Sequence, residues 1–224
     1  MKNLFTLLLL AISVAIHAQN TFSSNADSDP EARSVLEKMA NKYEGFNTLE
    51  VDFSLEIAFP EEETQKQNIN FKKKGESFRV TMPGRTVISD GNTMWMVLDR
   101  IQEVQINDVP EVSEDDGILS PQSLFQLYKN EGFAYYLAGQ VTENGKVVQK
   151  IEFKPLDEDS DYSKMRLTLV KGSNDFVRVK AFSKDGSRFT VSANSISPNK
   201  TLADGLFKFS KADFPDYHVE DLRY

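Results

Sequence analysis

Neutral-pH catalysis draws mostly on histidine, cysteine and paired carboxylates, and this 224-residue chain is poor in the first two. It has no cysteine, which excludes a disulfide framework, thiolate metal sites and a cysteine nucleophile. Of the two histidines, His17 lies in the apolar N-terminal segment and His218 lies close to the C-terminus. A Ser-His-Asp site would have to use His218, and no G-x-S-x-G turn is present, so His218 reads as an exposed tail residue. One imidazole cannot build a metal site of several histidines. The stretch Asp157-Glu158-Asp159-Ser160-Asp161 resembles the start of a calcium loop. Tyr162, however, stands where the sharp turn needs glycine, and Thr168 where a bidentate glutamate belongs, so a solvated hairpin tip is expected. There is no glycine-rich phosphate loop. Among 34 acidic residues some pair can always meet, which keeps a two-carboxylate hydrolase as the last-ranked alternative, but no pair stands out. The expectation is a protein that is not an enzyme and needs no metal or cofactor.

The net charge of −8 argues against nucleic acid as a partner, because phosphate binding needs a basic face. It argues equally against electrostatic docking on anionic lipid. At the N-terminus, Lys2 is followed by an apolar stretch from Leu4 to Ile16 and by small Ala18. This reads as a secretory signal peptide over residues 1–18, cut near Ala18; the run is too short to span a bilayer. Cleavage removes Lys2 and His17, and no cysteine follows the cut to accept a lipid anchor. The expected product is a periplasmic protein, with a polar leader over residues 19–28 and a single domain over 29–224.

The elements that would position a site are one helix and many strands. Asp29 offers an N-cap with Pro30 behind it, and Ala32, Val35, Leu36, Met39, Ala40 and Tyr43 recur at helical spacing until Gly45. Leu49, Val51, Phe53, Leu55, Ile57 and Phe59 then alternate with Glu50, Asp52, Ser54, Glu56 and Ala58, the pattern of a half-buried strand. Further strands are expected over 64–73, 77–82, 93–98, 101–106, 134–142, 146–153, 163–170, 175–182 and 187–196. Lys74-Gly75, Asp90-Gly91, Asn144-Gly145, Lys171-Gly172 and Asp185-Gly186 supply hairpin turns between them. Short connections imply antiparallel neighbours, and about eleven strands must curl, close or split into two sheets. Ser120-Pro121 opens a short helix carrying Leu124, Phe125 and Leu127.

Sixteen phenylalanines against one tryptophan give the strands a heavy apolar inventory. A closed barrel would fill its interior with these side chains. A half-open sheet lined by Val51, Phe53, Leu55, Phe78, Val80 and Met82 would instead present a greasy concave surface, which the two helices could cover. The residue pattern leaves both open.

Val87-Ile88-Ser89-Asp90-Gly91-Asn92-Thr93-Met94-Trp95 resembles the S-D-G-x-x-x-W stretch of the periplasmic outer-membrane lipoprotein carrier family, LolA. The helix at Asp29, the strand through Val51 and Phe53, and Phe78 after the next hairpin are similar in order. So are Ser120-Pro121-Gln122-Ser123-Leu124-Phe125, Leu206-Phe207-Lys208-Phe209, and Val219-Glu220-Asp221-Leu222-Arg223. The resemblance implies an unclosed antiparallel β-barrel with a small helical lid. It implies a monomeric carrier that takes acylated lipoproteins from an inner-membrane ABC release complex to the outer membrane, where a receptor would be a further partner. It assigns the acyl-binding face to Leu49, Val51, Phe53, Leu55, Ile57, Phe78, Val80, Met82 and Trp95, and the lid to Val35, Leu36, Met39, Leu124, Phe125 and Leu127. Where the family often has Arg-Pro as a lid latch, this chain has Lys74-Gly75, a point charge in place of a rigid fork. A half-barrel that senses or shuttles another lipid, as in envelope-stress signalling, is the alternative reading.

Overall fold

The computed structural model of the chain describes residues 23–109 and 127–223. The expected signal peptide, the acidic stretch 113–117 and the expected lid helix with Leu124 and Phe125 lie outside the described residues; Leu127 is described only as the start of a 3-10 turn, Leu127–Lys129.

Helix α1 runs from Pro30 to Glu44. Asp29 caps it by accepting the Glu31 N–H at 2.8 Å, and Pro30 fills the first position, where a missing N–H costs nothing. Ala32, Leu36, Met39, Ala40 and Tyr43 are buried along one stripe, with Val35 half-buried beside them.

The strands are β1 (Thr48–Ala58), β2 (Gln65–Lys74), β3 (Ser77–Met82), β4 (Arg85–Ser89), β5 (Thr93–Leu98), β6 (Glu103–Asp108), β7 (Phe133–Glu143), β8 (Lys146–Pro155), β9 (Tyr162–Val170), β10 (Phe176–Ser183), β11 (Arg188–Pro198) and β12 (His218–Asp221). They form one sheet in the order β12-β6-β5-β4-β3-β2-β1-β11-β10-β9-β8-β7. The long antiparallel pairing of β1 with β11 welds the two halves, while β7 and β12 stay at opposite edges, so the sheet does not close. Among the described residues there are twelve strands, in keeping with the roughly eleven expected. β4 is only five residues between two turns, and β12 is four residues of mixed polarity, too short to show a period. Among the described residues β12 is also the one strand added in parallel, against β6.

All five expected turn glycines adopt positive φ. The two-residue turn between β7 and β8 shows why: Asn144 (φ 50) and Gly145 (φ 74) are both left-handed, matching the twist of the hairpin.

The open edge of β7 is covered by the segment leading into α1. The Asp29 N–H donates to the Tyr135 carbonyl at 2.9 Å, the Tyr135 N–H to Ser28 Oγ at 3.1 Å, and the Leu137 N–H to Asp29 Oδ2 at 3.2 Å. Asn25 Nδ2 reaches the Phe133 carbonyl at 2.7 Å. Strand-edge groups that would otherwise template another chain are thereby satisfied, and α1 is fixed across the sheet. At its other end, Lys42 pairs with Asp175 and the Tyr43 hydroxyl accepts the Phe176 N–H at 3.0 Å. Burial pushes the Tyr43 phenol up to about 12.

Candidate functional site

Registered neighbours in a sheet share a face, so the pairings define the two sides. Val51, Phe71, Val80, Val87 and Met96 form one inner row, and Phe53, Ile69 and Met82 form the next. Across the weld, Leu55 meets Val191 and Ile57 meets Phe189. The core cluster joins this inner face to α1 through Leu36, Met39 and Tyr43.

The inner face has two parts. Leu49, Val51, Phe53 and Phe71, each 1% exposed, lie in the core shared with α1, and Val80 is nearly as buried. Leu55, Ile57, Phe78 and Met82 are only half-buried, as are Ile69, Val87 and Phe189. The apolar lining therefore continues from the core into a partly uncovered surface. Sequence reading missed Ile69, Val87 and Phe189: β2 places Gln65 and Gln67 on the same face as Ile69, which erases the alternation. A cleft of about 560 Å³ opens at the C-terminal end of α1, with Tyr43, Phe46, Phe176, Ala193 and Ile196 in its lining and Lys42 and Asp175 at its rim. Next to α1, the Tyr135 ring is buried under the Arg33 guanidinium, 5.5 Å from its centroid, and burial raises its phenol above the ordinary range.

Trp95 is not on this face. It registers opposite Ile88 and Ile106, one residue out of step with Met94 and Met96, and so belongs to the outer side. There it stacks on Phe209 at 6.1 Å, and Phe209 stacks on Phe214 at 5.8 Å. Ile88, Val97 and Val104 share the outer side and are fully buried, as Phe207 is in the segment that follows β11. The S-D-G-x-x-x-W motif thus builds a turn and an anchor. The Ser89 Oγ accepts the Gly91 N–H at 3.1 Å, and Asp90 Oδ1 accepts the Asn92 and Thr93 N–H groups at 2.9 Å, which holds its carboxyl below the ordinary range. The closing motif has the same role: Val219 registers on Val104, and Asp221 pairs with Arg223 at 2.6 Å.

Lys74 also faces outward. Its ammonium reaches the Leu202 carbonyl at 3.3 Å and Asp204 at 2.5 Å, so the latch it makes fastens the segment after β11 to the β2–β3 hairpin. Glu50 does similar work with Lys200 at 2.8 Å and Lys72 at 3.1 Å, and these two ammonium groups hold its carboxyl down to about 2. A folded-state value below the unfolded one stabilises above the unfolded value, and that contribution disappears as pH falls towards 2. Glu50→Gln should therefore flatten the loss of stability between about pH 4.5 and pH 2, read by urea midpoints across that range. An unchanged pH profile would remove Glu50 from the clamp.

His218 lies exposed in β12, and the acidic run at Asp157 forms the β8–β9 turn, with Asp157 Oδ1 accepting the Asp159 N–H at 2.8 Å.

The family model described as "Outer membrane lipoprotein carrier protein LolA" matches residues 44–210, from the end of α1 through Ser210. No curated protein matches the chain. The fold is shared with an uncharacterized conserved protein from Thermus thermophilus, at 12% identity and a TM-score of 0.57, covering 85% of this chain and 99% of that one. A LolA superfamily protein from Nitrosomonas europaea is also similar, at 12% identity and a TM-score of 0.43, over 80% of this chain and 97% of that one. With the unclosed sheet, the helix across it and a family match over most of its length, the chain belongs to the LolA family of outer membrane lipoprotein carrier proteins.

Proposed function

We propose that this chain is a periplasmic carrier with no chemistry of its own, which takes an acylated lipoprotein from an inner-membrane ABC release complex and delivers it to the outer membrane. The observation that supports it is the set of half-buried apolar side chains on the inner face, Leu55, Ile69, Phe78, Met82 and Val87, which continues the core into a surface where an acyl chain can lie. Covering one methylene stabilises a complex by about 0.8 kcal/mol, so covering part of one chain is enough to hold a lipoprotein in water. Incomplete cover also favours release, which no nucleotide hydrolysis drives in the periplasm. The signal segment at residues 1–18 accords with export, and the carrier acts as a monomer. Mass spectrometry of the protein purified from periplasm without detergent, after delivery is blocked, tests this reading. It should recover acylated N-terminal cysteine peptides with the chain. Recovery of another lipid and no lipoprotein would make this a lipid shuttle or sensor on the same fold.

A further inference from the structure

The acidic balance of the chain hides an uneven distribution. On the outer side of β8–β11, opposite the core face of the same strands, Lys150 and Lys154 stand on β8, Lys164 and Arg166 on β9, Lys180 on β10 and Arg188 on β11. Four of these cations surround the half-buried ring of Phe182: Arg188 at 5.1 Å, Lys164 at 5.2 Å, and Arg166 and Lys180 at 5.4 Å from its centroid. Arg166 and Lys180 are direct cross-strand partners, an arrangement of like charges that opposes strand pairing. The cation–π contacts with Phe182 offset part of that repulsion and leave the face strongly positive.

Local neutralisation is incomplete. Glu152 is the one carboxylate among the outward residues of these four strands, and it takes Arg166 through Nε at 2.9 Å and Lys164 at 3.0 Å. Lys150, Lys154, Lys180 and Arg188 form no ion pair among the described residues; Arg188 instead donates to the Ser187 and Ser183 carbonyls at 2.7 and 3.1 Å. Phe182, Arg166 and Arg188 are of the residue types enriched at protein interfaces, and the lysines around them are of the kind found in a charged rim.

We propose that this outer face is a docking surface for an acidic segment of a partner protein, with Arg166 and Arg188 receiving carboxylates, Lys150, Lys154 and Lys180 supplying the surrounding positive field, and Phe182 as the apolar anchor. An anionic bilayer offers the same charge, but a bilayer on this side would leave the apolar inner face pointing away from the membrane. A protein gripping the outer side leaves the inner face free to exchange acyl chains. That choice of partner class rests on the carrier reading; the surface itself does not.

The test uses the mature full-length chain and a fluorescein-labelled glutamate-rich peptide, read by anisotropy, beside co-sedimentation with vesicles of phosphatidylcholine and phosphatidylglycerol. The wild type should bind the peptide, more weakly at high salt, and should leave the vesicles in solution. Lys180→Glu with Arg188→Glu should weaken peptide binding roughly tenfold or more, and Phe182→Ala by roughly threefold or more. The control Lys38→Glu with Lys208→Glu, exposed residues away from these strands, should change it little. If the first double variant does not fold, Lys150→Glu with Lys154→Glu carries the same expectation. Peptide binding insensitive to these reversals would overturn the proposal. So would vesicle binding that the reversals abolish, or self-association of the wild type through this face. Loading with an acylated lipoprotein, measured on the same variants, should stay at the wild-type level. A wild type that binds the peptide but takes no lipoprotein refutes the carrier reading and leaves the docking surface standing.

Discussion

Leu55→Asp combined with Met82→Asp should abolish acyl-chain binding while the protein still folds. Both side chains are half-buried on the inner face, so in the free protein the new carboxylates still reach water and the cost to stability should be about 1–2 kcal/mol. An acyl chain laid over them would strip that water, and desolvating an unpaired charge costs several kcal/mol. Even a cost of about 3 kcal/mol is a loss of roughly 150-fold in affinity. The control is built into the strands, since the adjacent residues Ser54 and Thr81 face the other way. Ser54→Asp with Thr81→Asp adds the same charge to the outer side and should leave affinity within about twofold. Affinity for a diacylated or triacylated lipoprotein, measured without detergent, decides it. Equal binding by the two double variants would show that the acyl chains lie elsewhere.

Trp95→Ala should act on stability and not on cargo. The indole stacks on Phe209 on the outer side, next to a buried set that includes Ile88, Val97 and Val104. Because Trp95 is half-buried, the loss should be about 2–3 kcal/mol, below the roughly 3–5 kcal/mol of a fully buried aromatic. Phe207→Ala, at 3% exposure, should reach that higher range. Against a total stability of about 5–15 kcal/mol either change is large, and urea unfolding will resolve it. Lipid affinity of the folded variants should match the wild type. A Trp95→Ala protein of normal stability and lost affinity would return the indole to the binding face.

These two residues also show which parts of the molecule were legible in the sequence. β1 announces its inner face because apolar Leu49, Val51, Phe53, Leu55 and Ile57 alternate with polar neighbours, and the helix stripe and turn glycines are equally plain. β5 reads Thr-Met-Trp-Met-Val-Leu, apolar on both sides, because its outer side is packed against the chain's own C-terminal segment. No alternation survives there to say which way Trp95 points, and a shift of one residue exchanges the faces. The partners of Lys74 were illegible for a related reason: Leu202 and Asp204 lie more than a hundred residues away, beyond any local pattern. The basic cluster around Phe182 was invisible to a net charge. It appears only when four strands place residues from 150 to 188 on one surface.

The central claim is that acyl chains lie on the inner face of the open sheet. Placing a photoreactive benzophenone side chain in turn at Leu55, Ser54, Met82 and Thr81, loading each protein with acylated lipoprotein and irradiating reads this face directly. Crosslinks to the acyl chains should form from positions 55 and 82 and be absent from 54 and 81. Crosslinks from 54 and 81, or equally from all four, would contradict it.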